Sequence, residues 1–410
     1  MLWIKTNTNT HENNLINIII ILLLLNYYFL FQLMNENEII TNDINIIINN
    51  NIENSNNIIN NIDNYDLNND NNFNVSTSLD IIGQGDKPFD LKDSKINLSK
   101  LKSKILFEDN LIFAMTILSD NRLVIGGKYG KIYIFSLDLK NKFLIQIPQN
   151  AIVNQLLLLT SKKLLAMASN KNIYIYNIIN NEFNLDLTIV TPSIIYKVIE
   201  IKDEKLVSIH KDNSLRGYVK NNFNYQIECT WKKNYEDTEI LFDNIFGLKN
   251  KNKFIATCYV EDKLFFINSG TYDINNFLNI NSSYSINNIQ QLNDNYILVG
   301  GDLNIYLIDI NKEIVKTSIK TKGTVMTFFV LNENCFLSGE EEENYGFSNL
   351  NKYEIIFDNI KKKKKEEINL NLLETLKNVH DDIIRNIVLY QNKAIITSGE
   401  DNKVKFWDFN

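Results

Sequence analysis

The chain has 410 residues, 42 Lys and Arg against 49 Asp and Glu, and a formal net charge of -7. That modest acidic balance excludes a general electrostatic grip on nucleic acid, which needs clustered Lys and Arg. Cys229, Cys258 and Cys335 form no CxxC pair, so they read as reduced thiols in or beside strands and point to a cytoplasmic or nuclear setting.

Residues 1–34 form an N-terminal hydrophobic segment. Within it LINIIIILLLLNYYFLFQLM, residues 15–34, approaches the length of about 20 apolar residues that crosses a bilayer, interrupted by Asn17, Asn26 and Gln32. Two readings stand for it: a signal anchor that would tie the protein to a membrane, or a low-complexity run. A cleaved signal peptide fits poorly, because no small-residue cleavage site follows. Residues 35–94 are rich in Asn with Ile scattered at no fixed period, which predicts a disordered linker because no apolar face offsets the entropy of ordering.

From residue 111 short runs of alternating apolar and polar residues recur, separated by Asn, Asp, Lys and Gly. The unit is four strands, the second ending in small residues and the third in a bulky one. Examples are RLVIGGKYGKIYIFS, KLLAMASNKNIYIYN, KLVSIHKDNSLRGYV, YILVGGDLNIYLID and KAIITSGEDNKVKFWD. The bulky third-strand position is assigned to Phe135, Tyr176, Tyr218, Ile267, Ile308, Phe357 and Trp407, at intervals of 41 to 50 residues. Such a period predicts an all-β, seven-bladed propeller over residues 95–410. The seventh unit stops after its third strand, so its sheet needs a strand from elsewhere. Residues 95–108, KINLSKLKSKILFE, belong to no other unit and are predicted to supply it.

The last unit, NVHDDIIRNIVLYQNKAIITSGEDNKVKFWDF, resembles the WD40-repeat family over the whole of its His-to-Trp-Asp pattern. His380 stands at the family's histidine, although Val379 replaces the usual glycine. Asp401 lies in the tight turn, and Trp407-Asp408 is the name-giving dipeptide. The resemblance implies a structural hydrogen-bonded chain of His380, Thr397, Asp401 and Trp407, with Ser398 as the alternative hydroxyl. In the other units it thins to periodicity. Trp231 falls on an outer strand and His210 at the end of a second strand, so neither copies the motif.

No catalytic, cofactor or metal site is predicted: histidines are too few for nucleophilic catalysis, zinc spacing is missing, and GGKYG reads as a hairpin turn. Two charge runs, Glu340, Glu341, Glu342 and Glu343, then Lys361, Lys362, Lys363, Lys364 and Lys365, are assigned to interaction loops on opposite rims of blade six. A solvated loop is the plainer account of each, and a nuclear-localisation role is a further one for the lysines. The reading is a non-enzymatic scaffold for other proteins, without nucleic acid or cofactor. Alternatives are a membrane-anchored trafficking subunit, through residues 15–34, or a propeller enzyme or lectin.

Overall fold

The computed structural model describes residues 96–410, apart from 109–111, 180–181, 203–204, 222–223, 232–233, 236–237, 240–241, 250–251, 259–262, 281–285, 343–345, 359–366 and 410. The hydrophobic segment, the Asn-rich tract, Glu343 and Lys361 to Lys365 therefore lie outside the described residues.

Seven four-stranded antiparallel sheets follow one another as the blades of a propeller. Their innermost strands are Ile112–Ile117, Val153–Leu158, Ile195–Lys202, Phe242–Gly247, Ile286–Gln291, Gly323–Asn332 and Ile384–Tyr390. In blades one to six the strands sit in chain order. In blade seven Ile384–Tyr390, Ala394–Gly399 and Lys403–Asp408 are joined at the outer edge by Lys102–Glu108 from the start of the domain.

Each blade lies between two neighbours, so its second strand has no solvent face. LVIGG, LLAMA, YILVGG and AIITSG are buried at every position. The outer strands, such as Lys142–Gln146, are mostly exposed. Apolar clusters accordingly form between blades. One joins Ile132 and Ile134 of blade one to Leu164 and Ala166 of blade two. At the closing junction Phe107, Val388 and Ile396 of blade seven pack on Ile125, Tyr133 and Phe135 of blade one. Burying this surface is worth about 25 cal/mol per Å², and no blade can bury its own two faces alone.

Turns use the abundant asparagines. Asn121, Asn213, Asn392 and Asn402 all have positive φ, which Asn tolerates better than most residues because its short polar side chain bonds locally. Other turns hold Lys162, Lys171, Leu303 and Glu313 at positive φ, so a chain with only 14 Gly makes its tight turns partly on Asn and partly on residues that bear some strain.

Every innermost strand carries a bulge near its start, at Phe113, Asn154, Tyr196, Asp243, Asn287, Met326 and Arg385, where one extra residue escapes the ladder. The residue that follows often reaches the next blade. Gln155 donates to Val198 O at 2.8 Å and accepts from Val198 N at 3.0 Å. Lys197 Nζ donates to Asn244 Oδ1 at 2.7 Å, and Asn244 Nδ2 donates to Asn287 O at 3.3 Å. Asn288 reaches Met326 O at 3.3 Å, and Asn386 reaches Phe113 O at 3.4 Å. Three of these acceptors are carbonyls of bulged residues, which the belt of side chains supplies with donors.

Two assignments change. Glu340, Glu341 and Glu342 belong to the second strand of blade six, Cys335–Glu342, and not to a loop. That strand has 8 residues and continues through the acids, because Glu340 faces buried donors. The bulky third-strand position of blade six is Tyr353, not Phe357. Trp407 pairs with Ile395, two residues before Thr397, and Tyr353 likewise pairs with Phe336, two before Ser338. Phe357 pairs with Ile368 on a hairpin that runs on past the second strand.

The closing strand contributes one large buried side chain, Phe107, whose ring lies 4.7 Å from Tyr133 and 5.6 Å from Phe135. Phe107→Ala is expected to destabilise the domain by about 3–5 kcal/mol, the usual cost of emptying a buried aromatic site, as read from urea unfolding.

Candidate functional site

The hydrogen-bonding residues of blade seven come together in one buried chain. Trp407 Nε1 donates to Thr397 Oγ1 at 2.9 Å, and Thr397 Oγ1 lies 2.8 Å from His380 Nε2. Indole N–H can only donate, so the Thr397 hydroxyl accepts from it and turns its own proton to Nε2. His380 Nδ1 then carries the ring proton toward Asp401 Oδ1, 2.8 Å away. Asp401 also accepts from the backbone N–H of Asp381 and of Lys403, both at 3.2 Å. Burial pushes the His380 pKa down while Asp401 opposes the shift. Gly399 leaves room for the imidazole: a Cβ there would stand 2.5 Å from His380 Nδ1. Ser398 instead accepts from Asn386 Nδ2 at 2.8 Å.

Blades six and three solve the same packing problem with residues that the sequence reading did not assemble. In blade six Ser338 and Tyr353 donate to Glu340 Oε1 at 2.5 Å and 2.8 Å. Glu340 is 1% exposed, and burial raises its carboxyl pKa against these donors. In blade three Ser208 Oγ lies 2.6 Å and Tyr218 OH 3.3 Å from His210 Nε2, while His210 Nδ1 faces Ser193 O at 3.2 Å. Burial takes the His210 pKa down to about 4. Tyr218 pairs with Leu206, two residues before Ser208, which matches the register of Trp407 and Tyr353. The available signal was Ser-x-His and Ser-x-Glu on a second strand, since residues two apart share a face.

The bulges lie at the end of the propeller that carries the turns between second and third strands, so they ring the mouth of the central channel. Asp243 accepts from Thr257 Oγ1, and burial pushes its pKa up to about 6 although Lys197 and this hydrogen bond pull it down. At the same mouth Arg385 pairs with Glu400, and burial lowers its pKa to about 10.

Around this mouth the rim divides by charge. Lys128, Lys171 and Lys211 occupy the turns of blades one to three and Lys131 opens the third strand of blade one, with Tyr129 among them at 50% exposure. Asp302, Glu341, Glu342, Asp381, Asp382 and Glu400 occupy the same end of blades five to seven. Glu341 is raised in pKa by burial first and then by the Asp382 carboxylate; Arg385 opposes the shift, and Asp302 adds to it from the blade on the other side. Those three acids therefore share one field.

No family model matches the chain, and no curated protein matches it either. Solved structures do. One, from the crystal structure of the mitotic checkpoint complex, superimposes with a TM-score of 0.60 at 11% identity, covering 79% of this chain and 100% of that one. At that identity the likeness shows the fold alone, a β-propeller. As 1464 chains match, the fold is widely shared and does not single out a role.

Thr397→Val keeps the shape of the side chain but leaves His380 Nε2 and Trp407 Nε1 without partners. It is expected to cost about 1–3 kcal/mol for each buried group so stranded, measured by chemical unfolding. Asp243 makes a pH-dependent contribution. Its folded pKa, near 6, lies above the unfolded carboxylate value, so ionised Asp243 costs stability at neutral pH and the cost fades as pH falls from 6 toward 4. Asp243→Asn is expected to raise the melting temperature by a few degrees at pH 7.5, a gain that disappears at pH 4.

Proposed function

We propose that the chain is a non-enzymatic scaffold that holds other proteins against the rims of its WD40-like propeller, in the cytoplasm. One observation carries this reading: both histidines of the propeller, together with Glu340, are spent inside the blades. His380 is held between Asp401 and Thr397, and His210 between Ser208, Tyr218 and Ser193. Glu340 is closed in by Ser338 and Tyr353. Among the described residues no three of His, Cys, Asp or Glu gather where they could hold a metal ion.

What faces solvent at the rim has the character of a binding surface. Tyr129 is 50% exposed beside Lys128, whose Nζ lies 5.5 Å from the Tyr129 ring centre, and Val190 is 73% exposed at the same end of blade two. Aromatic side chains with a charged surround are enriched where proteins meet. A fold of this kind also stands within a multiprotein assembly in the checkpoint structure, which supports the reading.

The test is affinity capture with the full chain and a Tyr129→Ala, Val190→Ser variant, both checked for the same melting temperature. The expected result is a reproducible set of proteins retained by the wild type and depleted by the variant. No reproducible partner for the wild type would remove the reading.

A further inference from the structure

The charge division of the channel-mouth rim has a symmetry of its own. Lys128 and Lys131 stand on blade one, Lys171 on blade two and Lys211 on blade three. Asp302 stands on blade five, Glu341 and Glu342 on blade six, and Asp381, Asp382 and Glu400 on blade seven. In a seven-bladed ring, a line through blade four passes between blades one and seven. That line is the border between the basic and the acidic half.

Two such rims laid face to face and related by a two-fold axis along this line set blade one against blade seven of the second copy. Blade two then meets blade six, and blade three meets blade five. Basic blades one and two then face acidic blades seven and six, twice over, which is the self-complementarity that an isologous interface requires; at the blade-three and blade-five juxtaposition Asp302 meets Lys211 but has Lys320 and Lys322 beside it. We infer that the propeller associates with a second copy of itself through this rim, basic half on acidic half.

The opposite charges inside each half reduce the division without reversing it. Asp212, in the basic half, is taken up by Arg216 at 2.5 Å and by Ser214. In the acidic half Lys403 offsets Asp381 at 2.9 Å and Arg385 offsets Glu400, so the acidic excess rests on Asp302, Glu341, Glu342 and Asp382. Lys320 and Lys322 remain there as basic groups, on the connection from blade five to blade six. The exposed Tyr129 and Val190 give the basic half apolar surface that would be covered on association. The inference is independent of the scaffold reading, since a monomer can hold other proteins as well.

Sedimentation velocity on the full chain tests it in about 0.1 M and about 1 M salt, between which the screening length falls from about 10 Å to about 3 Å. A dimer is expected at the lower salt, with its dissociation constant at least about tenfold higher at the upper. Lys128→Glu with Lys171→Glu cancels the positive charge of the basic half, since Lys131 and Lys211 remain; Glu341→Lys with Asp382→Lys makes both halves basic. Each double variant alone should be monomeric, and an equimolar mixture of the two should form a mixed dimer, with unchanged melting temperatures confirming that both fold. A wild type that stays monomeric at 0.1 M salt would overturn the inference. So would a dimer that survives either double variant, or folded variants that fail to pair in the mixture.

Discussion

A ring of stacked sheets holds only if its last blade meets its first, and here that junction must be made between the two ends of the domain. Lys102–Glu108 pairs with Lys403–Asp408, from Lys102 opposite Asp408 to Glu108 opposite Lys403. Phe107 packs across the gap onto Tyr133 and Phe135 of blade one, and Asn386 of blade seven reaches the Phe113 carbonyl. Since the apolar clusters lie between blades, opening this junction would bare an inner face on each side of it. Neighbouring junctions would lose the geometry that the belt of bulges keeps. The bulges matter because three of them turn backbone carbonyls, those of Phe113, Asn287 and Met326, to side chains of the preceding blade.

The buried polar chains play a different part. A well-satisfied network fixes one arrangement, whereas a half-satisfied one is worse than apolar packing. In blade seven the chain runs from a connection, through a second strand, to a third: His380 closes the blade-six outer strand, Thr397 lies mid-sheet and Trp407 stands opposite Ile395. In blades three and six the ionisable group comes from the second strand itself, two residues after the hydroxyl. Blade six ties strand to strand, blade three also holds the Ser193 carbonyl of its entering loop, and blade seven adds a carboxylate, Asp401, from its own tight turn. The difference falls beside the acidic half of the rim, where Asp381 and Asp382 are held close to the pinned His380 and Asp401.

Much of the architecture was legible because it repeats: hydrophobic alternation, a period in the forties and a missing last strand each point to a closed ring with a borrowed edge. Blade seven was legible to the residue because four chemically distinctive side chains stand at familiar spacing. Blades three and six were not, because Ser208, His210 and Tyr218, or Ser338, Glu340 and Tyr353, look like ordinary strand residues until the ladder register sets them opposite one another. Glu340 was read as part of an exposed acidic run because composition cannot tell a charge that ends a strand from one that opens a loop. Its neighbours Glu341 and Glu342 are partly exposed, so one run contains both a buried acceptor and rim charges. Phe357 was misplaced for a related reason: the long outer hairpin of blade six offers two bulky residues, and only the pairing of Tyr353 with Phe336 decides between them.

The rim gains from this construction. Association costs entropy for each loop or side chain that must be ordered, so short turns already fixed by their own hydrogen bonds lose less on binding. Asp212 holds Ser214, Asp401 holds Lys403 N–H, and Gln146 holds the Tyr129 carbonyl. The same bonds set where the neighbouring lysines and carboxylates emerge, so the charge pattern belongs to the fold and not to mobile side chains alone. Chemistry locked in the blades and charge displayed at the rim are thus two results of one arrangement, in which polar groups needed to fix the turns are buried and those left over face outward in two opposed halves.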